Sequence, residues 1–118
     1  MKKYAFTGKT KKFGHVTLHQ IISNTGVIGG WIESERNLSQ TGTCWVYGNA
    51  RVYGDAKVYR NAKVFGNAEV FGNAEVYGDA GVFGNAEVFG NAEVSGKAWV
   101  YGNAKVSGKA WVSGDVKI

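Results

Sequence analysis

The side chains able to do chemistry are few, and most lie in the first third of the chain. His15 and His19 are the only two histidines among 118 residues. A spacing of four would put both on one side of a strand. Metal binding or acid–base catalysis needs a further partner, and no third ligand or acidic partner is evident, so a structural role is expected of both. Cys44 is the single cysteine. It reads as a small inward-facing apolar residue rather than a reactive thiol. Lys9, Lys11 and Lys12, with Arg51 and Lys57 further on, supply positive charge that could hold an anion. There is no Gly-rich phosphate loop, CxxC pair or nucleophile motif.

The wider composition sets the frame for these residues. The length fits one domain. The net charge of +5 is unevenly spread: six basic residues stand against two acidic ones over residues 1–36, and the rest nearly cancels. No 18-residue apolar run is present, so no membrane span is expected. The first residues lack the apolar core of a signal peptide, and with no possible internal disulfide a cytoplasmic location is expected. Glycine is abundant and proline absent.

From Trp45 to the end, one six-residue phrase repeats. Trp45-Val46-Tyr47-Gly48-Asn49-Ala50 is followed by Arg51-Val52-Tyr53-Gly54-Asp55-Ala56, and so on to Trp111-Val112-Ser113-Gly114-Asp115-Val116. The unit is valine, an aromatic, Gly, Asn or Asp, Ala and a variable residue. Alternation puts Ala and Val on one side of a four-residue strand. Gly-Asn tolerates positive φ and makes a bend. The corners with Arg60, Lys97 and Lys109 are expected to bend differently. A helix is excluded, since a Gly-Asn pair every sixth residue would break it.

This unit resembles the hexapeptide-repeat family of left-handed parallel β-helices, over residues 45–118. The resemblance implies an all-β fold of four to five triangular coils, 18 residues each. Tracing the pattern back, Gly42-Thr43-Cys44, Arg36-Asn37-Leu38 and Gly30-Trp31-Ile32 take the place of Gly-Asn-Ala. The β-helix is therefore assigned to residues 28–118, and residues 1–27 to a short N-terminal β cap or assembly segment, with strands at Tyr4–Phe6 and Val16–Ile22.

At 18-residue spacing the outward positions fall on three faces. The first carries Trp45, Tyr47, Phe65, Phe83, Trp99 and Tyr101, with Lys63 and Lys117 as its only charges. So apolar a surface suggests an oligomer interface or a stacking platform for a planar ligand. Gly81 leaves a gap on it where a partner's ring could sit. Neighbouring rungs pair Arg51 with Glu69, Lys57 with Glu75 and Glu87 with Lys105.

Enzymes that share the resembled fold are acyltransferases or carbonic anhydrases, which place histidine in or beside the coils. These coils contain none, so neither catalysis nor a cofactor or metal is expected. Gly29-Gly30-Trp31-Ile32-Glu33, Arg36-Asn37-Leu38-Ser39 and the run Cys44–Gly54 are similar to small phage and prophage hexapeptide-repeat proteins. That likeness names a lineage rather than a reaction; the basic and aromatic surface then suggests a non-catalytic homo-oligomer, a dimer or trimer in a bacterial host's cytoplasm. It would sequester a small anionic, planar ligand such as a nucleotide immune signal. Lys9, Lys11, Lys12, His15, His19, Arg51 and Lys57 would hold it, with no duplex nucleic acid or membrane as partner. The alternatives are a structural rod of a virion or filament, and an inhibitor that binds a host protein through the aromatic face.

Overall fold

The computed structural model describes residues 2–118. The chain is a β-solenoid of about five coils with a hairpin at its N-terminal end. Strands β1 (Tyr4–Phe13) and β2 (Val16–Ser23) form an antiparallel hairpin, and β3 (Ile28–Ile32) pairs antiparallel with β2. Twelve two-residue strands follow, β4 to β15, one per repeat. The first sheet stacks β4 (Trp45–Val46), β7 (Lys63–Val64), β10 (Gly81–Val82) and β13 (Trp99–Val100). The second stacks β3, β5 (Arg51–Val52), β8 (Glu69–Val70), β11 (Glu87–Val88) and β14 (Lys105–Val106). The third stacks β6 (Lys57–Val58), β9 (Glu75–Val76), β12 (Glu93–Val94) and β15 (Trp111–Val112).

The strands are two residues long rather than the expected four. The turn itself takes four residues, closed by hydrogen bonds such as Ala68 N–H to the Phe65 carbonyl (3.4 Å). Between turns every rung bonds to the next through pairs such as Arg51 N–H to Ala68 O and Tyr53 N–H to Val70 O, both 3.0 Å. Valine and alanine columns fill the interior. Val52, Val58, Val64, Val70, Val76, Val82, Val88 and Val94 are all 0–1 % exposed. Burying each valine contributes roughly 1.5–3 kcal/mol. At the corners, side-chain amides form ladders, as in Asn67 Nδ2 to Asn85 Oδ1 (3.4 Å) and Asn73 Nδ2 to Asn91 Oδ1 (3.2 Å).

The corners do not bend differently where the pattern changes. Arg60 keeps the left-handed conformation at φ 59°, and the glycines before Lys97 and Lys109 have φ 64° and 67° like their counterparts. The rung above and below fixes the turn, so the side chain adapts to the backbone rather than the reverse.

The first coil is out of the expected register. Ile32 pairs with Val52 and Leu38 with Val58, a spacing of 20, so both occupy valine columns instead of alanine positions. Branched side chains of that size fit the wide column and not the narrow one. The normal spacing of 18 resumes at Trp45, opposite Lys63. The two extra residues lie between Leu38 and Cys44, where Cys44 N–H reaches the Arg60 carbonyl at 3.0 Å. Cys44 points inward as expected and is 1 % exposed. A short 3-10 helix, Glu35–Asn37, shapes the preceding corner.

The hairpin closes the N-terminal end. Tyr4, Leu18 and Ile21 are buried, and the Tyr4 hydroxyl donates to the Leu38 carbonyl (2.6 Å). Lys3 Nζ donates to the carbonyl of Cys44 (2.8 Å) and contacts its Sγ (3.3 Å). Gly29 and Gly30 permit this close approach: a Cβ on Gly29 would lie 2.7 Å from the Trp45 ring, and one on Gly30 2.8 Å from the Ala50 carbonyl.

Candidate functional site

The structure separates the expected anion-holding residues into several places. Lys11 and Arg51 meet. On β1, Lys11 Nζ lies 4.3 Å from the centre of the Trp31 ring. One rung along the second sheet, the Arg51 guanidinium lies 4.4 Å over Phe13, which in turn meets Tyr53 edge-on at 5.6 Å. Arg51 is also paired with Glu69, whose other oxygen accepts from the Tyr53 hydroxyl (3.0 Å). Arg51 Nε is buried without a hydrogen-bond partner among the described residues. Loss of hydration over the indole, and then the nearby Arg51 charge, push the Lys11 ammonium below the usual lysine range.

The other expected contributors lie apart. Lys9 and Lys12 are exposed on β1, and Lys57 is exposed on the third face. His15 sits in the hairpin turn, outside either strand, so it does not share a strand side with His19. The Gly14-His15 turn that reverses the chain interrupts the alternation on which that expectation rested. His19 stacks on Phe6, with ring centres 4.5 Å apart. Among the described residues no group of three or more His, Cys, Asp or Glu side chains is placed to hold a metal ion.

On the first face the aromatic column runs unbroken. Phe65 and Phe83 stack at 4.9 Å, Phe83 and Tyr101 at 5.4 Å, and Tyr47 meets Phe65 edge-on at 5.9 Å. Trp45 departs from the expectation: it is only 7 % exposed, buried under the hairpin against Tyr4. Beside the column, Gly81 leaves a cleft of about 490 Å³, walled by Phe65, Phe83 and Trp99 and rimmed by Lys63, Asn61 and Asp79. No positive φ explains that glycine, and a Cβ there would meet nothing closer than 3.7 Å.

The expected Arg51–Glu69 pair forms, and Lys105 lies 4.0 Å from Glu87. Lys57 and Glu75 share a register position but make no ion pair among the described residues. Glu75 instead accepts from the Tyr59 hydroxyl (2.7 Å), and Glu93 from Tyr77 (2.8 Å). The recurring contact is thus diagonal, from a tyrosine to the glutamate 16 residues on. The spacing was visible in the sequence, but comparison at 18 alone misses it. Burial first, and then the bond to the carboxylate, hold the Tyr53 and Tyr59 hydroxyls above the ordinary tyrosine range. Raised folded-state values mean that the associated stability is complete below pH 10 and is lost as pH rises above it. In an absorbance titration, Glu75→Ala should lower the apparent pKa of one late-ionising tyrosine. An unchanged titration curve would show that the bond has no influence.

Residues 46–60 match the family model described as the YdcK beta solenoid repeat. A comparison with curated proteins found no match. The matched segment spans the Tyr47 turn, β5 and β6, the first regular part of the coils.

Proposed function

We propose that the protein is a non-catalytic, homo-oligomeric binding protein that holds an anionic, planar ligand at the Lys11–Trp31–Arg51 cluster. In this reading it is phage-encoded and withdraws a nucleotide signal from solution. The supporting observation is the meeting of two cations with one carboxylate beside an indole. Trp31 is 9 % exposed, and its ring is overlain by the flexible side chain of Lys11. Were it to swing aside, the ring would accept a base by stacking, and Lys11 and Arg51 would face the phosphates. An anion would also relieve the repulsion between the two cations.

Native mass spectrometry with a panel of linear and cyclic nucleotides tests this reading. At least one nucleotide should be retained. Lys11→Ala and Arg51→Ala should each weaken retention about tenfold or more, the scale of a lost charge-assisted contact. Lys57→Ala, remote from the cluster, should leave it unchanged. Retention of none of the panel, or equal losses from Lys57→Ala, would remove the proposal.

A further inference from the structure

One edge of the solenoid carries a charge pattern that is complementary to its own inversion. Where the third face turns into the first, successive corners hold Arg60-Asn61, Gly78-Asp79, Gly96-Lys97 and Gly114-Asp115. Along the axis the signs run plus, minus, plus, minus, one coil apart, at about 4.8 Å per rung. Within the chain Asp79 accepts from Asn61 Nδ2 (3.2 Å). The side chains of Arg60, Lys97 and Asp115 make no ion pair among the described residues.

Consider a two-fold axis lying in the first face, perpendicular to the coil axis, between the rungs of Gly81 and Trp99. It sets Asp79 against the partner's Lys97 and Arg60 against the partner's Asp115. The same operation places Trp99, 45 % exposed, over the partner's Gly81 cleft, and Phe83 opposite the partner's Tyr101. Both the knob and the hole occur twice, as an isologous contact requires. The one like-charged match, Lys63 with the partner's Lys117, opposes the contact: Lys63 rims the cleft and Lys117 Nζ lies 5.0 Å over the Trp99 ring, so the two charged corners must outweigh it. A two-fold axis parallel to the coils would instead set this charged corner against the partner's opposite corner, where Asn67, Asn85 and Asn103 carry no charge, and leave Asp79 and Lys97 unpaired.

We propose that the chain forms an antiparallel homodimer through its first face, in which the partner's Trp99 completes each Gly81 cleft. This rests on the homo-oligomeric part of the function proposed above and is independent of any ligand. Sedimentation equilibrium of the full chain without nucleotide, over a concentration series, tests it. The wild-type chain should sediment as a dimer at the upper concentrations. Asp79→Lys should weaken association at least tenfold, because each substitution acts twice. Adding Lys97→Asp to the same chain should restore association to within about threefold of wild type, at unchanged net charge. Lysine already stands at this turn position at Lys97 and Lys109, so the corner accepts it. Gly81→Leu, which fills the cleft from its own chain, should also weaken association tenfold with an unchanged circular dichroism spectrum. A chain monomeric throughout, a trimer, or a double variant no tighter than Asp79→Lys would overturn the dimer. A trimer would sink the antiparallel axis while leaving the homo-oligomeric reading intact, and nucleotide retention by the cap cluster is read separately.

Discussion

Replacing Asn37 with leucine should remove about 3–4 kcal/mol of folding stability, although the two side chains are similar in size. Asn37 is fully buried and is the only buried polar side chain among the described residues. Its Oδ1 accepts from Glu33 N–H (3.1 Å) and Ser34 N–H (2.9 Å), and its Nδ2 donates to the carbonyls of Gly54 (3.1 Å) and Ala56 (2.9 Å). The importance of the last bond follows from the solenoid pattern. Each alanine carbonyl normally receives a backbone N–H from the preceding coil, as Ala50 does from Trp31 and Ala68 from Arg51. For Ala56 that donor would be the backbone of Asn37, but the 3-10 turn directs this N–H to Ser34 O (3.1 Å). The side-chain amide therefore supplies the missing rung bond. Leucine would leave Ala56 O and Ser34 N–H without partners, and an unsatisfied buried group costs about 1–3 kcal/mol. Glu33 N–H and Gly54 O are less affected, because Val52 O and Arg36 Nε also bond to them. Asn37→Asp should be at least as damaging near neutral pH, since it turns an oxygen toward Ala56 O. Urea unfolding with an unchanged m-value measures the loss. A loss below 1 kcal/mol in both variants would show that the turn re-forms its backbone bond.

The same residue shows what was legible in the sequence. The regular coils were readable because each repeat restates the same local instructions: glycine for the turn, alanine and valine for the columns. The cap and first coil have no such redundancy. Leu38 and Ile32 look like members of the repeat, yet their size moves them to another column, and the compensating insertion before Cys44 carries no motif. Trp45 has the local pattern of an outward residue. Its burial depends on Tyr4, about 40 positions away, which no period reports. Of the expected anion site, only Lys11 and Arg51 come together, because the hairpin wraps onto the second sheet and Lys57 lies on the third. Trp31 and Phe13, which complete that cluster, had no signal beyond their residue type. The Gly81 gap was legible because a single blank stands out against a strict repeat. The alternating corner of Asp79 and Lys97 was equally visible, but its meaning depends on knowing which face it borders.

A matched pair of glycine substitutions should separate turn conformation from rung stacking. Gly48→Ala is expected to cost about 1 kcal/mol, and Gly84→Ala about 3 kcal/mol or more. Both glycines are left-handed, at φ 53° and 68°, so alanine carries a similar conformational cost at either position. They differ in what lies on the next rung. A Cβ on Gly48 would meet nothing within 4 Å, whereas one on Gly84 would stand 2.9 Å from Gly102 N and 3.2 Å from its carbonyl. Those are backbone atoms held in the ladder, with Asn85 N–H bonded to Gly102 O at 2.8 Å. They cannot rotate away as a flexible side chain would, so the methyl group must either lengthen that bond or tilt the coil. Each coil touches only its neighbours, and the disturbance should spread to the Asn85–Asn103 amide pair before it reaches the cap. Thermal unfolding of the two variants side by side gives the difference directly. Equal losses would mean that the turn conformation alone fixes glycine at these corners. Arg60, left-handed at φ 59° without being glycine, already shows that conformation alone does not forbid a side chain.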